Sequence, residues 1–109
     1  MKPPFEGLAE LDRLIHEPAR LAILTALAAC RSADFLFLQR LTGLSKGNLS
    51  SHLAKLEEAG LVRIEKTFDG KIPVTHLSLT RQGRSDITRH WRRLGELRRH
   101  TLEWRANDG

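Results

Sequence analysis

Leu41-Thr42-Gly43-Leu44-Ser45-Lys46-Gly47-Asn48-Leu49-Ser50-Ser51-His52-Leu53 is the stretch on which the fold turns. Leu49, Leu53 and Leu56 recur at i, i+4 and i+7, the spacing of one buried helical stripe. Ser45 stands where a hydroxyl caps that helix. Gly43 ends the helix before it. Two short helices joined by a tight glycine turn read as a helix-turn-helix. The outward positions of the second helix are Lys46, Gly47, Asn48, Ser50, Ser51 and Lys55, and its first acids are Glu57 and Glu58. A helix that enters the groove of a polyanion needs such an acid-free N-terminal half, and its dipole favours phosphate there. Asn48 suits bidentate pairing with adenine, and Ser50 or Ser51 suit bases or phosphates. Alone, the segment reads equally well as an ordinary surface helix; its neighbours decide.

Working outward, Asp34 N-caps a helix carrying Phe35, Leu38 and Leu41, so the helix-turn-helix spans 34–60. Val62 and Ile64 alternate with Arg63 and Glu65, a half-buried strand. Asp69-Gly70 signals a hairpin, and Val74, Leu77 and Leu79 return, with Pro73 near the start of their strand as proline requires. This wing, 61–79, is too small to be a core sheet of its own. Upstream, Leu8, Leu11 and Ile15 predict an amphipathic helix over 5–17, ended before Pro18. Pro18 opens a second helix, continued by Leu21, Leu24 and Ala28 to about Cys30. Arg31-Ser32-Ala33 is a polar break. Thr80 caps a last, long helix whose apolar side is Ile87, Trp91, Leu94, Leu97, Leu102 and Trp104. The fold class is mainly α with a small β-hairpin. It is a winged helix-turn-helix in one domain, 1–109, with 5–17 and 84–106 as terminal dimerisation helices.

The chain has 109 residues, 40% of them hydrophobic, which suits one modest core and excludes wholesale disorder. Lys and Arg number 18 against 13 acids, a net charge of +5 that expects an anionic partner, most commonly nucleic acid. The excess is concentrated: residues 80–109 hold eight Arg and four acids, whereas residues 1–45 balance. That basic end touches phosphates or is the solvated face of a helix. No apolar run approaches about 18 residues, so no membrane span is expected. Met-Lys-Pro-Pro-Phe-Glu at the start lacks the apolar core of a signal peptide. One cysteine, Cys30, cannot build a disulfide framework, and a reducing cytoplasm is the expected compartment. No phosphate loop, no nucleophile with an oriented base and no carboxylate pair in a cleft is evident, so no enzyme is expected.

From Pro18-Ala19-Arg20-Leu21-Ala22-Ile23-Leu24 to Leu79-Thr80-Arg81-Gln82-Gly83-Arg84 the chain resembles winged-helix transcriptional regulators of the ArsR/MarR kind. Three pieces carry the resemblance: Gly43 to Leu53, then Lys55-Leu56-Glu57-Glu58-Ala59-Gly60-Leu61-Val62, then Leu79-Thr80-x-x-Gly83-Arg84. Each is soft alone; in this order they are specific. The resemblance implies a homodimeric DNA-binding regulator, usually a repressor, with its recognition helix in the major groove. There are departures. ArsR metal sensors often carry Cys-x-Cys on the helix before the turn, where this chain has Asp34-Phe35-Leu36-Phe37-Leu38. MarR wings often carry Asp-x-Arg at the tip, where this chain has Asp69-Gly70-Lys71. The long extra helices of the MarR effector pocket are missing, and no small-molecule effector is indicated.

The DNA-binding set is therefore Ser45, Lys46, Gly47, Asn48, Ser50, Ser51, His52 and Lys55, with Lys66 and Lys71 of the wing on flanking phosphates. His52, beside the buried Leu53, either faces DNA or caps the helix–strand junction. Leu8, Leu11 and Ile15 at one end, and Trp91, Leu94, Leu97 and Leu102 at the other, are the expected dimer interface. Cys30 beside Arg31 reads as a small apolar residue in preference to a redox sensor. Asp86, His90, His100 and Glu103 are zinc-type ligands, but their spacing departs from the ArsR zinc pattern, and no metal or cofactor is expected. The function read from the sequence is a dimeric, sequence-specific regulator bound to double-stranded DNA. The alternative is a winged-helix module used only for protein interaction.

Overall fold

The computed structural model describes residues 6–9 and 11–108, with side chains to Glu103 and Trp104 at the C-terminal end and without that of residue 9. Helix α1 is Glu6–Ala9 and α2 is Pro18–Ala29; β1, Ala33–Asp34, leads directly into α3, Phe35–Thr42. Helix α4 is Lys46–Glu58, the wing strands are β2, Val62–Asp69, and β3, Ile72–Leu79, and α5 runs Arg81–Asp108. The strand order is β1-β3-β2, all antiparallel. The expected hairpin is thus the larger part of a three-stranded sheet. Ala33 pairs with Leu77 and Asp34 with His76, so the segment read as a polar break supplies a short edge strand.

The caps fall where the side chains dictate. Glu17 accepts from the Arg20 N–H at 2.9 Å, and Asp34 from the Phe37 N–H at 2.8 Å. Helix α4 ends in a Schellman arrangement: Leu61 N–H donates to the Leu56 carbonyl and Gly60 N–H to that of Glu57, both at 2.9 Å. This needs the left-handed φ of 79° at Gly60. Leu56 and Leu61 then meet in the core. Thr80 ties the next element down. Its hydroxyl donates to the Gly60 carbonyl at 2.6 Å and accepts from the Gly83 N–H at 3.0 Å, while its own N–H donates to the Leu61 carbonyl. A side chain at Gly83 would run into that Leu61 carbonyl, which explains Leu-Thr-x-x-Gly as a packing motif.

The core gathers Ile23, Leu24 and Leu27 of α2, Leu38 of α3, Leu49, Leu53 and Leu56 of α4, Leu77 of β3 and Ile87 of α5. Leu41 does not join it. Phe35, Leu38 and Leu41 step around a short helix; with Leu38 centred inward, Phe35 is half-buried and Leu41 faces solvent beside Leu36 and Phe37. The wing tip differs in detail from the Asp69-Gly70 turn: the two loop residues are Gly70 and Lys71, and Asp69 pairs with Ile72. Pro73 lies where β1 has not yet begun to pair with β3, so its missing N–H leaves no ladder bond unmade.

The N-terminal helix is a correction. Residues 5 and 10 of the expected 5–17 helix lie outside the described residues, and helix is seen only at Glu6–Ala9. Asp12 then takes the Leu14 and Ile15 N–H groups on its carboxylate, at 2.8 and 3.3 Å, a turn that competes with continued helix. This turn folds Leu11 and Ile15 into the chain's own interior. It also brings His16 to α5, where His16 Nδ1 lies 3.0 Å from Nε2 of His90, 5% exposed.

One proton serves that histidine contact. Desolvation first, then the nearby His16 and Arg93, push the His90 pKa below its ordinary value, while Asp12 pulls the other way. The folded protein therefore binds fewer protons than the unfolded chain just below the unperturbed value of about 6.5, and stability rises with pH across that interval. The melting temperature is expected to fall as pH drops from 7.5 to 5.5, and His90→Gln to flatten the dependence. An unchanged slope in the variant would remove His90 as its source. Glu17 acts further into acid. Desolvation alone would raise its carboxyl, but the Arg20 and Ala19 N–H groups and the charges of His52 and Arg20 outweigh that and hold it low.

Candidate nucleic-acid interface

The Ser45 hydroxyl accepts from the Asn48 N–H at 3.2 Å, fixing the start of α4. Thr42 braces the turn before it, its hydroxyl donating to the Leu38 carbonyl at 2.9 Å. With Leu49, Leu53 and Leu56 pinned inward, Lys46, Gly47, Asn48, Ser50, Ser51 and Lys55 all stand exposed on α4. Lys66 and Lys71 are exposed on the wing. Among the described residues no carboxylate pairs with any of these four lysines. A groove of about 610 Å³ runs between α3, α4 and the wing, and it brings Lys46 and Ser50 together with Lys66, Ile72 and Pro73. Helix α4 and the wing thus line one continuous groove.

His52 is the exception to the expected set. Its side chain is 19% exposed and turns to the start of α2, with Nδ1 3.3 Å from Arg20 Nη1 and 3.7 Å from Glu17 Oε2. These contacts match neither expected reading: His52 meets the start of α2, not the helix–strand junction after α4.

The expected dimer residues divide. Leu8, Trp91 and Leu102 are exposed, and Leu94 and Leu97 half-buried. Leu11 and Ile15 are used inside the chain and are withdrawn from the interface. Trp91 also serves its own chain, its indole N–H donating to the Thr25 hydroxyl at 2.9 Å. Trp104, exposed near the end of α5, continues the Leu97 side of the helix, whereas Leu102 continues the Trp91 side. Helix α5 is about 42 Å long at 1.5 Å per residue, about two-thirds of the 64 Å length of the molecule.

The four zinc-type residues are not brought together. Asp86 accepts from Gln82 at 2.6 Å, and His90 is spent on His16. His100 and Glu103 are exposed further along the helix, His100 lying about 15 Å beyond His90. Cys30 is half-buried at the end of α2.

The sequence pattern described as "Winged helix DNA-binding domain" matches residues 19–97, from α2 through the exposed face to mid-α5. The chain belongs to this winged-helix DNA-binding family. An uncharacterized protein of Methanocaldococcus jannaschii is 33% identical over 73 residues, covering 66% of this chain and 78% of its own. The transcriptional regulator homologue from Pyrococcus horikoshii is 32% identical, with a TM-score of 0.79, covering 84% of this chain and 93% of that one. A mutant MarR from E. coli superposes with a TM-score of 0.69 at 20% identity, over 96% and 83% of the two chains, which shows the shared fold. This winged-helix regulator is MarR-like in architecture, and its family acts by binding DNA. No helix among the described residues is long and apolar enough to cross a membrane.

Sequence reasoning missed the wing tip. Phe68 and Ile72 were given no role, yet they are 74% and 66% exposed. Their signal was available: two large apolar residues on either side of Asp69-Gly70-Lys71 are too near a hairpin tip to reach a core.

Proposed function

We propose that the chain is a homodimeric, sequence-specific transcriptional regulator of the cytoplasm. It acts as a repressor by occupying promoter DNA, with α4 in the major groove and the wing on the flanking backbone. The observation that carries this reading is the acid-free N-terminal half of α4, whose Lys46 and Ser50 share one groove with Lys66 of the wing, while the acids of that groove are Asp34 and Glu57 at its other positions. Helix α4, 13 residues long, spans about 20 Å, and a major groove about 12 Å wide admits it. Its positive dipole end, near Lys46 and Asn48, lies on the face offered to phosphate. One such helix reads only a few base pairs, so two copies related by a two-fold axis supply the selectivity a genome demands. The exposed apolar strip of α5 and Leu8 of α1 supports that pairing.

Mobility shift against duplexes selected from a random pool tests the reading. Asn48→Ala is expected to weaken binding by roughly 1–3 kcal/mol and to relax preference at one base position. Lys71→Ala is expected to weaken all sequences alike and to shallow the salt dependence by about one unit. If Asn48→Ala changed neither affinity nor preference, α4 would not be the reading element.

A further inference from the structure

We propose that the wing tip is an apolar wedge that enters the minor groove beside the α4 site, parts one base step and bends the DNA. Only the base of the wing is built into the fold: Val62 and Leu77 are buried, with Ile64 and Leu79 packed against the core. Beyond them the two strands run free to the Gly70-Lys71 loop. At that free end Phe68 is 74% exposed and faces Pro73 across the ladder, while Ile72, 66% exposed, pairs with Asp69 on the other face of the hairpin. Among the described residues nothing covers this apolar tip, so its side chains are available to an outside partner.

The surroundings commit that partner to nucleic acid. Lys66 and Lys71 flank the tip without paired carboxylates among the described residues and outnumber the one acid of the tip, the exposed Asp69. Ile72 and Pro73 also line the same groove as Lys46 and Ser50 of α4. The inference rests on the proposed reading of that face: with α4 in a major groove, the wing tip reaches the neighbouring minor groove. That groove is about 6 Å wide and admits a flat ring edge-on. Phe, Ile and Pro are the side chains that wedge between base pairs, and pyrimidine–purine steps open at least cost. The wedge therefore adds a preference for a TA or CA/TG step in the flank, where no side chain hydrogen-bonds to a base.

The test uses the best duplex from random selection, labelled at both ends for energy transfer and carrying 2-aminopurine at the flanking step. Wild-type protein is expected to bring the ends together and raise the 2-aminopurine fluorescence. Phe68→Ala is expected to abolish both signals, erase the flank preference and weaken binding by about tenfold, with its melting temperature unchanged because Phe68 is exposed. Straight duplex in the wild-type complex overturns the wedge alone, as does an unaltered bend with Phe68→Ala; the latter result would leave the tip to an apolar protein partner. A wild-type protein that binds no duplex overturns the DNA reading and the wedge together.

Discussion

Gly83→Ala is expected to destabilise the protein by about 3 kcal/mol, at the upper end of overpacking costs, and to lower its melting temperature by roughly 15 °C. The new methyl collides with backbone. The Leu61 carbonyl oxygen occupies its place, and the Leu61 carbonyl carbon and Cα lie at 2.9 and 3.1 Å. Neither side can yield alone. Leu61 is held by its bond to Leu56 and by the Thr80 N–H, and Gly83 by the Thr80 hydroxyl. Relief requires α5 to lift from the base of the wing, so specific DNA binding is expected to fall with stability. Gly95→Ala on the same helix is the control. Nothing lies within 4 Å of its added carbon, and a gain of up to about 1 kcal/mol is expected there. Thermal unfolding of both variants checks the pair; equal effects would refute the close-approach account.

Gly83 also marks how far the sequence could be read. Ser45, Asp34 and Thr80 each carry a capping side chain beside a periodic run, and each cap lies where that local rule puts it. The Thr-x-x-Gly spacing was legible as a motif, but its reason was not, because Leu61 is brought to Gly83 by the turn at Gly60. Strand β1 escaped for the same kind of reason. Two residues have no period, and Ala33–Asp34 is a strand only because Leu77 and His76 come to lie beside it. The Leu8, Leu11 and Ile15 spacing suggested helix, yet Asp12 could satisfy the same backbone groups locally and did. His16 and His90 stand 74 positions apart, beyond any sequence pattern. At the candidate site, the exposed residues of α4 followed from helical period alone. His52 did not, since its direction is decided by Glu17 and Arg20 of another helix.

Leu102→Asp combined with Trp104→Asp is expected to give a monomer that has lost specific DNA affinity by roughly 10²–10⁴-fold, the advantage that joining two half-site contacts confers. These two positions separate pairing from folding. Each side chain is 51% exposed on the projecting part of α5, and neither belongs to the core cluster, so the variant's melting temperature measured at low concentration should stay near that of the dissociated wild type. Trp91 is the poorer choice, because its bond to Thr25 ties it to α2 and its loss would disturb the chain itself. Leu102 and Trp104 are two positions apart and point to different sides of α5; on the proposed dimer the two aspartates remove apolar contact from both edges of the covered surface and place unpaired charge there. Sedimentation of the wild type should give about twice 12.4 kDa, and the variant the single mass. Weak, salt-sensitive binding through α4 and the wing should survive in the variant, because those contacts belong to each copy alone. A wild type that sediments as a monomer yet binds a palindrome tightly would leave α5 without its pairing role, and the apolar strip would then need a different partner.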